Sequence, residues 1–208
     1  VTVQDWRDFS CDDLAAPLRA ARELFAIHGY HGTSIRAIAD SAGLSVPGLY
    51  HHYPSKQVIL DALVTHAMNQ MLTHTRAADA ASDGSPDGRF GNVVEALLRF
   101  HMERRDDAFV ASTEMRSMDE PVLKAHVAQR DMQQRLVREI IEQGAATGAF
   151  ACRHPTEAAR AVASLCVSVA DWYRPDGPLS AEQIVDRYGE FARRIIGADV
   201  DGIAPRPE

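Results

Sequence analysis

The sequence predicts an all-α protein of about nine helices, with a three-helix unit at the N-terminus and a larger helical domain behind it. Apolar residues recur at the i, i+3, i+4 spacing of an amphipathic helix in stretch after stretch of the 208 residues. Between these stretches stand start and stop signals: Ser or Thr ahead of an apolar face, Pro in first turns, Gly at ends. A third observation singles out Ser34 to Tyr53, which reads as two very short helices around a tight turn.

Thr33 or Ser34 can cap the first of these, since a side-chain oxygen there takes up an orphan backbone N–H. Ile35, Ile38 and Ala39 form its apolar face. Gly43 stands where the chain must leave the helix, and glycine takes positive φ without a Cβ clash. Ser45 can cap the second helix, and Pro47 in its first turn gives up only an N–H with no intrahelical partner. Tyr53-Pro54 ends that helix, because proline disfavours helical backbone in the residue before it. A helix of about two turns buries little, so its exposed side needs another use. Ser45, Val46, Tyr50, His51 and His52 offer hydroxyls, imidazoles and one apolar group. One of the two histidines falls on the face that would meet DNA. This mixture suits a DNA groove, where polar side chains settle on phosphate and read base edges. A helix-turn-helix puts such a second helix into the major groove.

The run from Leu18 to Leu63 closely resembles the DNA-binding domain of TetR-type transcriptional regulators. Phe25, Gly29, Thr33, Ile38-Ala39, Gly43, Leu49-Tyr50, Tyr53, Ser55-Lys56 and Leu60 carry the resemblance. It implies a homodimeric repressor on a pseudo-palindromic double-stranded DNA operator, with a small-molecule effector in the larger domain. The implied DNA face is Thr33, Ser34, Arg36, Ser45, Val46, Pro47, Tyr50, His51, Tyr53 and Lys56. Lys56 falls in the first turn of the following helix, where a cation opposes the helix dipole and a phosphate would reverse the penalty. Two residues depart from the family pattern. Val46 stands where Lys or Arg is frequent, and Gly48 where Thr or Ser is, which lowers electrostatic affinity and favours thymine-methyl contacts.

The net charge of −7 is unusual for a DNA binder, but it is unevenly spread. Residues 1–57 hold five Lys or Arg against six Asp or Glu; the remainder holds seventeen against twenty-three. With about two cations per subunit on the duplex, a dimer would show a salt slope of about −3.6 and lose roughly 10²-fold in affinity between 50 and 200 mM salt. No apolar run approaches the 18 residues of a membrane span, and no charged segment followed by an apolar run opens the sequence, so a secretory signal is not expected. Cys11, Cys152 and Cys166 are scattered and fit reduced thiols in a cytoplasmic protein.

In order, residues 12–57 read as the head, 58–197 as the effector-binding and dimerisation domain, and 198–208 as a flexible tail. Trp6 and Phe9 lie in an N-terminal arm that either docks or is disordered. Leu14, Leu18, Ala21, Phe25 and His28 make the face of the first helix, which Gly29 ends. His28 and His31 read as packing or dipole partners, not metal ligands. A long helix starts at Pro54 or Ser55 and runs to about Ala78; residues 82–91 read as a polar loop. Val94, Leu97, Leu98 and His101 resume the helical spacing, and Phe109, Val110 and Met115 extend another helix to about Met118. Pro121 opens a long helix that ends at Gly144, Gly148 and Phe150. Thr156 can cap the next helix, and Ser180 with Gln183 fits a capping box for the last. The wide apolar faces of these two late helices exceed what one small core needs. Val162, Cys166, Val169, Tyr173, Ile184, Tyr188 and Phe191 are therefore assigned to a two-fold dimer interface.

The segment Trp172-Tyr173-Arg174-Pro175-Asp176-Gly177, followed by Leu179-Ser180, resembles the end of TetR-type repressors of lipid breakdown, including fatty-acid and steroid-ring regulators. Those respond to acyl-CoA thioesters. The resemblance offers His101, Arg105, Met115, Arg116, Trp172 and Arg174 as ligand contacts, with Arg104 and Arg160 as further cations. The alternative places Trp172 and Tyr173 in a dimer core and leaves Arg174 to hold a turn. Two other functions stay open: a regulator answering an uncharged amphiphile or drug, and a helical small-molecule-binding protein that no longer binds DNA. No G-x-S-x-G, glycine-rich phosphate loop or H-E-x-x-H occurs, so neither catalysis nor a resident cofactor or metal is expected.

Overall fold

The computed structural model describes residues 5–10 and 12–198. They form nine α-helices and one 3₁₀ turn. The head comprises α1 (Ala16–Gly32), α2 (Ile35–Ser41) and α3 (Val46–His52). A long helix, α4 (Lys56–Ala80), leaves the head and enters the larger domain, where α5 (Pro86–Glu103) packs against it. Then come α6 (Arg105–Thr113), the 3₁₀ turn Glu114–Ser117, α7 (Glu120–Thr147), α8 (Pro155–Trp172) and α9 (Ala181–Ile196).

The caps follow from the sequence. Ser34 Oγ accepts from Ala37 N at 3.1 Å, Ser45 Oγ from Gly48 N at 3.1 Å, and Ser55 Oγ from Val58 N at 3.2 Å. Gly43 takes φ +68° between α2 and α3, and Gly29 breaks α1 at φ +71°. The Ser180–Gln183 capping box closes in both directions.

Four expectations need correction. The polar loop stops at Ser85, because Ser85 Oγ caps Gly88 N and Pro86 fits the first turn; residues 86–91 are helical. The helix through Phe109 ends at Thr113 and tightens into the 3₁₀ turn before Met118. Thr156 is not a cap: α8 starts at Pro155 with His154 before it. The last correction concerns the apolar stripe assigned to the dimer. Val162, Cys166, Val169, Tyr173 and Ile184 are buried within the subunit, against α5 and α9. Tyr188 is half-buried and Phe191 exposed; with Trp172 they form a ladder of rings at 5.6 and 5.7 Å.

The N-terminal arm docks. Trp6 is buried against Ala78 and Ala96, and Phe9 stacks on His74 at 4.0 Å. Arg7 pairs with Glu95 at 2.9 Å. Two apolar clusters build the molecule. One fills the larger domain. The other belongs to the head but reaches along α4 to Val64 and takes in Val110 and Met118, so the head shares its core with α4 and α6. Of the expected tail, Ala198 makes a bridge with Phe150; Cys11 and residues 199–208 lie outside the described residues.

Candidate nucleic-acid interface and effector cavity

The exposed surface of the head carries Ser34 and Arg36 of α2 and Ser45, Pro47, Tyr50, His51 and His52 of α3. Tyr50 is 45% exposed although its neighbour Leu49 is fully buried, so α3 is anchored by one side and free on the other. Val46 and Tyr53 are half-buried against the head's core. Two expected contacts have other tasks. Thr33 is buried, and its hydroxyl donates to the carbonyls of Leu24 and Gly29, so its side chain turns inward. Lys56 Nζ donates to Tyr30 O at 2.6 Å and Thr33 O at 2.7 Å, capping the end of α1 instead of standing free. Burial lowers the Lys56 pKa, against an opposing pull from Glu114. Arg36 has no ion pair among the described residues; Arg19 and Arg22 both pair with Asp12.

Behind the head, Asp107 of α6 sits between two guanidinium groups, Arg104 at 3.1 Å and Arg22 of α1 at 3.3 Å. Its side chain is 2% exposed. Burial pushes its carboxyl above the usual range, against the pull of Arg104 and Arg22. Asp12 joins the same group through Arg22 at 2.9 Å. Further along, Glu114 in the 3₁₀ turn accepts the Tyr30 backbone N–H at 3.0 Å. Thus α6 and its 3₁₀ extension grip α1 at two places.

Ala108, Ala111 and Ser112 of α6 line a cavity of about 130 Å³ bounded by α4, α5, α7 and α8. Met68, Met71, Leu97, Phe100 and Val137 make its wall apolar. His101, His126 and Gln133 interrupt it, and Arg130 and Gln134 also line it. His101 Nδ1 donates to Leu97 O at 2.7 Å, which leaves Nε2 with a lone pair. His126 is 3% exposed, and neither ring nitrogen has a hydrogen-bond partner. Gln133 Oε1 accepts from Thr75 at 2.7 Å while its Nε2 has no partner. Burial pushes both histidines down to about 4, helped at His126 by Arg130, so both are neutral at pH 7.

Gln134 also lines a second cleft, of about 350 Å³, between α7 and α8. Its other lining residues include Arg135, Arg138, Arg160 and one acid, Asp131. Of the six ligand contacts expected from the sequence, His101 alone lines the cavity. Arg105 donates to Ala170 O at 2.7 Å and ties α6 to α8; Met115 packs on the head's core. Arg116 is exposed on the 3₁₀ turn. Arg174 donates to Tyr173 O at 2.7 Å, and Trp172 lies outside on the aromatic ladder. Sequence reading missed His126 and Gln133. They were legible as polar residues on the inward stripe of α7, in step with Val137, Ile140 and Gly144.

Comparison with known proteins finds two family matches along the chain. Residues 18–63 match the family described as bacterial regulatory proteins, tetR family, and residues 83–196 match the tetracyclin repressor-like C-terminal domain. The HTH-type transcriptional repressor KstR2 of Mycolicibacterium smegmatis is 27% identical over 174 residues, covering 82% of this chain and 84% of that protein. The crystal structure of a tetR-family bacterial regulatory protein from Rhodococcus RHA1 superposes with TM-score 0.83 at 31% identity, covering 91% of this chain and all of that one. AibR, crystallised with isovaleryl coenzyme A and operator DNA, shares the fold at TM-score 0.78 and 22% identity, over 88% of this chain and 98% of its own. With the C-terminal match alone spanning more than half its length, the chain belongs to the TetR family of bacterial transcriptional regulators.

Proposed function

We propose that this regulator is a homodimeric repressor that holds a pseudo-palindromic operator through α3 and is released by an acyl-CoA thioester. The observation that carries the effector class is the junction at Gln134. An apolar cavity able to take a group of roughly benzene size opens beside a cleft with three arginines. An acyl chain suits the first, and the phosphates of coenzyme A suit the second through charge-assisted hydrogen bonds. The structure of AibR with isovaleryl coenzyme A and operator DNA lends support from a protein of the same fold.

Release follows from α6. It lines the cavity with Ala108, Ala111 and Ser112 and holds α1 through Asp107. A ligand that favours one setting of α6 shifts the heads away from the spacing that two successive major grooves require. The aromatic ladder of Trp172, Tyr188 and Phe191, with Ile195 exposed nearby on α9, supplies the surface for the second copy.

The test is fluorescence anisotropy on DNA flanking the protein's own gene, titrated with CoA thioesters of increasing chain length. Binding that Tyr50→Ala weakens by roughly tenfold without loss of thermal stability, and release by at least one thioester, are expected. Tight binding that no thioester reverses would sink the effector assignment.

A further inference from the structure

The polar atoms inside the cavity specify more than an acyl chain. A neutral imidazole has one N–H and one lone pair. His126 therefore presents one donor and one acceptor, both without a partner in the subunit, on a side chain only 3% exposed. The Gln133 amide adds N–H donors, and His101 adds a second lone-pair nitrogen, since its Nδ1 proton is committed to Leu97 O. A saturated acyl group answers none of these. A thioester or ketone oxygen can accept from His126 or Gln133, but it leaves both lone-pair nitrogens unanswered. A hydroxyl on the acyl chain both donates and accepts, so it answers one of these nitrogens and one of the N–H donors together. Because a buried acceptor left unpaired is costly, the cavity discriminates by hydrogen bonding and not by size alone.

We infer that the part of the effector entering this cavity carries a hydroxyl group, received by His126 of α7, with Gln133 of α7 and His101 of α5 lining the same cavity. The inference rests on the acyl-CoA reading for the rest of the ligand, and makes His126 the residue that sets specificity within that class.

The experiment compares hexanoyl-CoA, oxohexanoyl-CoA and hydroxyhexanoyl-CoA in releasing the operator complex. The hydroxylated thioester should act at roughly tenfold lower concentration or less. His126→Phe should abolish that preference and improve the response to hexanoyl-CoA. Methylcyclohexane and cyclohexanol, tested for their effect on Tm of the unaltered protein, give a readout that needs neither CoA nor a folded variant; only the alcohol should raise Tm. Equal release by the saturated and hydroxylated thioesters would overturn the inference while leaving the acyl-CoA reading intact, and would mean that water answers His126. If no thioester releases DNA and yet cyclohexanol alone raises Tm, the acyl-CoA reading falls and the hydroxyl site stands.

Discussion

Raising salt from about 50 to about 200 mM should weaken operator binding by only about 12-fold. The figure comes from counting the cations that can reach phosphate. On the exposed face of the head, Arg36 is free of ion pairs among the described residues, whereas Lys56 is spent on the carbonyls of Tyr30 and Thr33. Arg19 and Arg22 are paired with Asp12. One cation per subunit gives a dimer about two neutralised phosphates and a slope of about −1.8 in log K against log salt. The two cations per subunit expected from the sequence correspond to a slope of about −3.6 and a loss of roughly 10²-fold over the same range. Anisotropy titrations of labelled operator across a potassium chloride series measure the slope directly. Arg36→Gln should flatten it almost completely and lower affinity evenly across operator sequences. A slope near −3.6, or one that Arg36→Gln leaves unchanged, would refute the assignment of Lys56 to capping and of Arg36 to phosphate.

Gly144 lies in α7 directly beneath the Phe150 ring, and an added Cβ would overlap that ring. Gly144→Ala gains up to about 1 kcal/mol of helix propensity but must displace a ring buried against Phe90, so a net loss of about 1–2 kcal/mol is expected in urea melts. His101 and His126 are each lowered by burial from 6.5 to about 4, so the unfolded chain binds more protons between those values. Stability should therefore be full above pH 6.5 and fall as pH drops toward 4, by up to roughly 3 kcal/mol for each histidine. Urea melts at pH 7 and pH 5 measure this, and His101→Phe should make the pH dependence shallower. Asp107→Asn leaves Arg22 and Arg104 with Asp12 as their remaining acid partner and should cost about 1–3 kcal/mol, read as a fall in Tm.

Local chemistry made the head readable. Ser34, Ser45 and Ser55 act on backbone groups three residues ahead, and Gly43 needs no knowledge of the rest of the chain. The same holds for the Ser180–Gln183 box. What failed depended on distant partners. The stripe of α8 with Val162, Cys166 and Val169 has the right period for any apolar neighbour, and the sequence does not say that α5 and α9 of the same subunit cover it. Lys56 was misread because its true partners, two carbonyls at the end of α1, lie more than twenty residues back. Of the arginines offered for a ligand, Arg160 alone lines the cleft; its neighbours there, Arg135 and Arg138, and Arg130 at the cavity, sit on α7 among unremarkable polar residues.

Tyr30 is the residue where these threads knot. The 3₁₀ turn takes its amide proton, Lys56 at the start of α4 takes its carbonyl, and Gln57 takes its hydroxyl at 3.0 Å. The two peptide units that flank one residue are thereby pinned by segments that both trace back to the walls of the cavity. The reading unit thus has no free swivel: any sliding of α6 past α4 is imposed on it as torque, at Tyr30 as well as at Arg22, and the angle at which α3 meets the groove becomes a gauge of what the cavity holds.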